Sequence, residues 1–280
     1  MIYEDALLSF KQYPKAERHI SEADFGYRYM SPAIRDLPDG VRILEVGSGS
    51  GLLIRRLAQE FPHKEFLGLE PMGDGFSYSQ DIHNFVKSLA NADIRPVGFE
   101  ALEPHETFDL IYLVNVFEHF PDWKNFMHIV KRALRPQGRC IILCPNYSFP
   151  YEPHFRLPIL VNKSVSFKFY KKRIEAFEQR EDSHGLWKSL NFVKLRQVKH
   201  AAKKIDMTVH THNVVLMDMI KRLDTDEEFA KRQGLLTWPV MIAQKTGLLK
   251  LVLTGRLFET WLPYMHLTLR NAPDGMKEKA

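Results

Sequence analysis

Cysteine is nearly absent: the 280 residues contain two, Cys140 and Cys144. They stand four apart in an apolar run. On a strand that spacing puts both on one face, too far apart along the chain to bond each other. With no disulfide framework and no zinc-finger spacing, a reducing compartment is the default. Also missing is any run of roughly 18–20 uninterrupted apolar residues, the length a membrane-spanning helix requires. The N-terminal stretch carries Glu4 and Asp5 and lacks the apolar core and small-residue cleavage site of a signal peptide. These absences predict a cytoplasmic protein, or one bound to a membrane only at its surface. Internal repeats and low-complexity tracts are missing too, which excludes repeat architectures.

What remains is an ordinary globular composition, 45% hydrophobic, enough to build a real core. The length suits one domain with large insertions. Charge is unevenly spread. Residues 1–145 hold 16 Lys and Arg against 20 Asp and Glu, whereas residues 146–280 hold 23 against 14. The basic half could face phosphates, lipid headgroups or nucleic acid, or be a solvated basic surface.

Short β-rich runs alternate with helical ones. Strands are expected at 41–46, 65–69, 94–97, 108–114 and 139–144, the last announced by the turn Pro136-Gln137-Gly138. A helix is expected at 52–61. A second follows Asp122, with Trp123, Phe126, Ile129, Val130 and Leu134 on its apolar face. Such alternation implies a parallel sheet with right-handed crossovers, an α/β doubly wound fold. The pattern changes after Cys144, where four prolines open a long aromatic and basic stretch. A strand at 207–212, a helix at 214–223 and a closing strand at 264–270 complete seven strands. Thr225 and Glu228 form a capping-box signature for one more helix.

Glu45-Val46-Gly47-Ser48-Gly49-Ser50-Gly51 follows the first strand and opens a helix. The glycines allow a sharp turn and let a ligand lie against bare backbone. Glu70 ends the second strand, where an acid can accept hydrogen bonds from both ribose hydroxyls of a nucleoside. A strand, this turn, a helix, a second strand and a terminal acid together are a strong nucleotide signal. The G-x-G-x-x-G of dinucleotide-binding oxidoreductases would need a small residue at position 52, which is Leu52.

The E-x-G-x-G-x-G spacing instead resembles the first motif of class I S-adenosylmethionine-dependent methyltransferases. The resemblance continues in Phe108-Asp109-Leu110-Ile111, in Asn115-Val116-Phe117-Glu118-His119 and in Leu134-Arg135-Pro136-Gln137-Gly138-Arg139, and covers residues 40–147. It implies a mostly parallel seven-stranded sheet of order 3-2-1-4-5-7-6, with the last strand antiparallel. It also implies S-adenosylmethionine as cofactor, lying across the carboxyl ends of strands 1, 2 and 4. Glu45, Gly47 and Gly49, with Ser48 and Gly51 in the same turn, would hold its amino-acid end. Glu70 would hold the ribose, and Pro71 and Met72 would lie beside the adenine. The family's third motif places an acid directly after a glycine; here Phe99 intervenes and the acid is Glu100. Asn115 and Val116 would line the path of the methyl group.

Methyl transfer from a sulfonium is an in-line displacement, so the protein positions a nucleophile and excludes water. A hydroxyl acceptor gains from a general base. His119, beyond strand 4, and His154, in a loop dense with polar types, are the candidates. Tyr147, Tyr151, Arg156 and His184 are candidate acceptor contacts, Arg156 for a carboxylate or phosphate. Tyr27 and Tyr29 fit a packed N-terminal helix, or a cover over the cofactor. His210 and His212 lack a cysteine or acid at ligand spacing, and no metal is expected. Residues 248–262, apolar with Lys250 and Arg256, suit either an interfacial helix on an anionic membrane or a packed one.

Segments 146–205 and 235–262 are expected to form an acceptor-side cap on a single domain. The reading that results is O-methylation of a glycan, glycolipid or isoprenoid-linked acceptor. A nucleic-acid methyltransferase is the rival, but Asn115-Val116-Phe117-Glu118 is not the Asn/Asp-Pro-Pro-aromatic run of base amino methylation. An inactive cofactor-binding scaffold is the other rival, opposed by the intact glycine turn and Glu70.

Overall fold

Every apolar run expected to pair does so, in one seven-stranded sheet. The computed structural model describes residues 7–8, 10–13, 15–71, 83–84, 86–227, 230 and 260–273. Met72, Glu228 and residues 235–259 lie outside the described residues. The strands are β1 (Arg42–Val46), β2 (Glu65–Leu69), β3 (Ala92–Arg95), β4 (Phe108–Val114), β5 (Leu134–Pro145), β8 (Met207–Thr211) and β9 (Tyr264–Asn271). A separate hairpin joins β6 (Tyr151–Glu152) to β7 (Leu157–Pro158). Strands β1 to β5 pair in parallel, and β9 runs antiparallel between β5 and β8. Counting the two late strands as sixth and seventh, the sheet order is 3-2-1-4-5-7-6.

Period-two alternation sends side chains to two cores. On β5, Cys140, Ile142 and Cys144 enter one, while Ile141 and Leu143 enter the other. The expectation that both cysteines share a face holds, and both are free thiols. The helices are α1 (Ala16–Arg35), α2 (Leu52–Glu60), α3 (Trp123–Ala133), α4 (Lys163–Arg180), α5 (Leu186–Ser189), α6 (Leu195–Lys204) and α7 (Val214–Thr225). Helices α3 and α6 cover the first face, and α1 and α2 the second. Asp122 caps α3 by accepting from the Asn125 amide at 3.0 Å. A third cluster of Phe155, Leu157, Ile174, Trp187 and Leu190 gives residues beyond β5 a small core of their own. Each fully buried aliphatic or aromatic side chain contributes about 1.5–3 kcal/mol.

Boundaries differ from expectation in two strands: the third runs Ala92–Arg95 where 94–97 is expected, and the fifth starts early. The turn signal Pro136-Gln137-Gly138 lies inside β5, which begins at Leu134. The register shifts there, from Phe108 opposite Leu134 to Leu110 opposite Arg139. A Cβ on Gly138 would come 2.9 Å from the Phe108 carbonyl oxygen, so only glycine lets the bulged strand approach β4. Among the described residues, no helix is long and apolar enough to cross a membrane.

Candidate active site

The carboxyl ends of β1, β2 and β4 open into one cavity of about 1760 Å³. This edge is where open α/β sheets bind ligands. The turn after β1 shapes its inner wall. Gly47 and Gly49 have φ of 75° and 51°, the left-handed region that favours glycine. The two glycines serve different ends. A Cβ on Gly47 would lie 2.5 Å from Val116, so this glycine lets the turn reach the end of β4. A Cβ on Gly49 would meet no atom of the described residues within 4 Å. It would point into open space, so the turn leaves bare backbone facing room for a ligand.

The Gly49 amide donates to Glu70 Oε2 at 2.7 Å, which ties the turn to the end of β2. Burial raises the Glu70 pKa, and the Gly49 bond opposes it. His83 Nε2 lies 2.8 Å from the Gly49 carbonyl oxygen. Burial lowers the His83 pKa, which favours the neutral imidazole. Sequence reasoning missed His83, which stands more than 30 residues from the turn it braces.

Of the residues expected to hold a cofactor, Gly47, Gly49, Glu70, Pro71, Phe99, Glu100, Asn115 and Val116 all line this cavity. Glu45, Ser48 and Gly51 do not. Glu45 shares the face of Ile43 and is buried, accepting from Tyr112 Oη at 3.1 Å. Burial raises its pKa well above the usual range, and the Tyr112 bond opposes it. Gly51 donates to the Ser48 carbonyl oxygen at 2.8 Å and starts α2. These three form the back of the turn.

Asn115 sits at φ 56°, a left-handed conformation that asparagine tolerates. Its amide donates to the Leu143 carbonyl oxygen at 2.8 Å, and its Oδ1 accepts from Tyr264 Oη at 2.5 Å. Strand β9 thereby fixes the side chain at the mouth of β4. The next turn is clamped by Asn191, whose side chain donates to the carbonyl oxygens of Phe117 at 2.7 Å and Phe120 at 3.1 Å. Its amide donates to the Glu118 carbonyl oxygen at 2.8 Å.

That clamp presents Glu118 and His119 to the cavity, opposite His154. The rings of His119 and His154 meet edge to face, 5.3 Å between centroids. His154 Nδ1 donates to Glu152 Oε1 at 2.7 Å. Glu152 is fully buried and also accepts from the amides of His154 at 3.2 Å and Phe155 at 2.7 Å. Tyr147 Oη completes the set at 3.3 Å. Tyr147 is buried and stacked on Phe192, so it supports Glu152 from behind and does not line the cavity. Glu118 is 0% exposed, with Oε1 4.0 Å from His154 Nε2.

The charges of this cluster are strongly coupled. Burial pushes Glu118 up to about 7, against the pull of His154. Burial opposes a charge on His154, but Glu152 and then Glu118 outweigh it and raise the pKa. Burial, with His154 next, takes His119 down to about 3. His119 is therefore a neutral imidazole, with Nδ1 3.0 Å from Ser189 Oγ.

Tyr151, Arg156 and His184 line the outer part of the cavity, the last two exposed. Tyr27 and Tyr29 belong to packed α1. Arg56 lies over the Tyr27 ring, and Tyr29 Oη donates to Asp218 at 3.0 Å. Unforeseen from sequence is the other rim, formed by Arg18, His19 and Glu22 of α1. Glu118 and Glu152 were also missed as site residues. The only sequence signal for them is their place one and two residues before the histidines.

Comparison with known proteins agrees with this geometry. Residues 18–212 match the family described as a methyltransferase domain. An uncharacterized protein of Mycobacterium tuberculosis is 34% identical over 253 residues, covering 89% of this chain and 85% of that protein. A fatty-acid O-methyltransferase of Mycolicibacterium smegmatis is 27% identical over 164 residues, 55% of this chain and 58% of its own. Among solved structures, mycolic acid cyclopropane synthase complexed with SAH and CTAB aligns with a TM-score of 0.52 at 17% identity. The alignment covers 92% of this chain and 85% of that one, and the likeness is one of fold. With its seven-stranded sheet and glycine turn, the chain belongs to the methyltransferase-domain family and is a class I S-adenosylmethionine-dependent methyltransferase.

Proposed function

We propose that the protein transfers a methyl group to a hydroxyl oxygen of a glycan, glycolipid or isoprenoid-linked acceptor. The observation that carries this reading is the Glu118–His119–His154 cluster beside Asn115 and Val116, at the mouth of β4. S-adenosylmethionine, when bound, supplies a methyl group already attached to its leaving group. The protein's part is to hold the donor and aim the acceptor. Glu70 and the Gly47–Gly49 backbone hold the donor, with Pro71, Phe99 and Glu100 beside them. Asn115 and Val116 shape the passage between the two halves of the cavity. A hydroxyl has a proton to lose before or during attack, and His119 and His154 are proposed to meet it.

The room available supports a large acceptor. Ligand pockets commonly measure roughly 300–1,000 Å³. Here about 1760 Å³ leaves space for an extended molecule beside the cofactor. Tyr151, Arg156 and His184 then form an acceptor-side rim on segment 146–205. A fatty-acid O-methyltransferase among the relatives supports oxygen as the methylated atom and lipid as the acceptor class.

A surface outside the cavity fits a lipid-linked acceptor. Val165 and Phe169 stand four apart along the start of α4, and Val161 just precedes its N-cap Asn162, with Val161 84% and Phe169 72% exposed. Helix α4 carries six basic residues against two acidic ones. Apolar side chains among lysines suit an anionic membrane surface. The C-terminal end of the same helix, at Phe177 and Arg180, lines the cavity.

The test is transfer of a labelled methyl group from S-adenosylmethionine to lipid, glycan and RNA fractions, followed by identification of the methylated atom. An ether or ester methyl on a lipid or glycan is expected. Label found only in RNA, or only on nitrogen, would overturn the proposal.

A further inference from the structure

Glu118 is placed where a carboxylate is costly. Its side chain is 0% exposed, and neither oxygen has a hydrogen-bond partner on another of the described residues. A buried carboxylate needs a proton or a cation to compensate it. Two imidazoles face it. One donor atom each from Glu118, His119 and His154 can be chosen so that all three lie within 4.8 Å of one another. His154 Nδ1 is engaged by Glu152 at 2.7 Å and His119 Nδ1 by Ser189 at 3.0 Å. Both rings are thereby oriented with Nε2 as the remaining nitrogen. A carboxylate or hydroxyl behind each imidazole is the support that metal-ligating histidines have in proteins.

We propose that Glu118, His119 and His154 bind a divalent transition-metal cation, and that the acceptor hydroxyl completes its coordination from the cavity. Two imidazoles and one carboxylate suit zinc and leave a position for a substrate oxygen. Tetrahedral bonds of about 2.0–2.2 Å put ligand atoms roughly 3.3–3.6 Å apart, so the present spacing, up to 4.8 Å, contracts by about 1 Å when the cation binds. The proposal rests on the reading that the acceptor enters at this cluster, and assigns the two histidines to ligation. An alcohol bound to the cation gives up its proton more readily, here to solvent. The oxygen then attacks the methyl carbon. The new O–CH₃ bond forms as the carbon–sulfur bond breaks, and sulfur keeps the electron pair, leaving S-adenosylhomocysteine.

The experiment uses the full chain, stripped with a chelator and titrated with Zn²⁺ by calorimetry and with Co²⁺ by visible absorption. One saturable equivalent is expected, with cobalt bands typical of low coordination number. Glu118→Gln and His154→Ala should each weaken binding by at least tenfold, while S-adenosylhomocysteine affinity stays at the wild-type value and reports an intact fold. His210→Ala, a control for the surface histidines of β8, should leave the tight site unchanged. No saturable equivalent, or an equivalent untouched by both site variants, would overturn the cation. So would full hydroxyl methylation by the stripped enzyme, which would leave the O-methyltransferase reading standing. A cation that binds tightly to an enzyme making no O-methyl product would instead sink the acceptor reading and keep the site.

Discussion

The Gly49 amide donates to the Glu70 carboxylate at 2.7 Å, joining the first glycine-rich turn to the end of the neighbouring strand. The two motifs lie about 20 residues apart in sequence, yet form one surface. That surface is the proposed donor half of the site.

Glu70→Ala removes an acceptor from the proposed ribose position. Charge-assisted hydrogen bonds are worth about 1.5–3 kcal/mol, so cofactor affinity should fall roughly 10- to 150-fold. Glu70 ends a strand and lines the cavity, so thermal unfolding should change little. Calorimetric titration with S-adenosylhomocysteine checks the affinity and a thermal melt checks the stability; an unchanged affinity would remove Glu70 from the donor site.

His154→Ala should slow methyl transfer by about 10²–10⁴-fold, the range for loss of a group that activates the reacting hydroxyl, whether as base or as metal ligand. Donor affinity should not move, because His154 belongs to the proposed acceptor side and makes no hydrogen bond to the glycine turn among the described residues. Glu152→Gln tests positioning. Its Oε1 holds His154 Nδ1, so the variant should lower kcat and shift the pH profile while KM for the donor stays constant. Wild-type rates in both variants would reduce this loop to a connector.

Much of the donor half is legible in the sequence, because strands, turn and acid are local patterns of apolar runs and glycine. The extension of β5 to Leu134 is not. Pro136-Gln137-Gly138 has turn chemistry, and only pairing with Phe108 makes it a bulged strand. Glu118 and Glu152 read as solvated acids until tertiary packing buries them. Tyr147 sits among polar residues in the chain, yet stacking on Phe192 turns it inward. Nothing local to α1 shows that Arg18, His19 and Glu22 will reach the cavity; docking on α2 and the sheet puts them there.

His266 links pH to stability. Burial, then His212 and His210, takes its pKa down to about 3 from an ordinary 6.5. Its folded pKa is depressed, so its contribution is complete above pH 6.5. It is lost as pH falls toward 3, because the unfolded chain takes up the proton first. The slope per histidine is at most about 1.4 kcal/mol per pH unit. His266→Leu should flatten the fall in denaturant-midpoint stability between pH 6.5 and 4, relative to wild type. Parallel curves for the two proteins would contradict this.

Val161→Glu combined with Phe169→Glu places two acids among the exposed apolar side chains at and just before the start of α4. Cosedimentation with phosphatidylglycerol vesicles should fall at least tenfold, since each apolar side chain and nearby lysine adds on the order of 1 kcal/mol. Phosphatidylcholine vesicles should bind the wild-type protein weakly. Equal binding of both proteins to anionic vesicles would exclude this helix as the contact.

The most direct test of the donor site is calorimetric titration of S-adenosylhomocysteine into wild type and Gly49→Val, with thermal unfolding run on both. No atom of the described residues lies within 4 Å of a Cβ added at Gly49, so a valine there would project into the space assigned to the ligand. The account predicts one saturable site in wild type and none in a Gly49→Val protein that still unfolds cooperatively. A folded Gly49→Val variant that binds with wild-type affinity would contradict it.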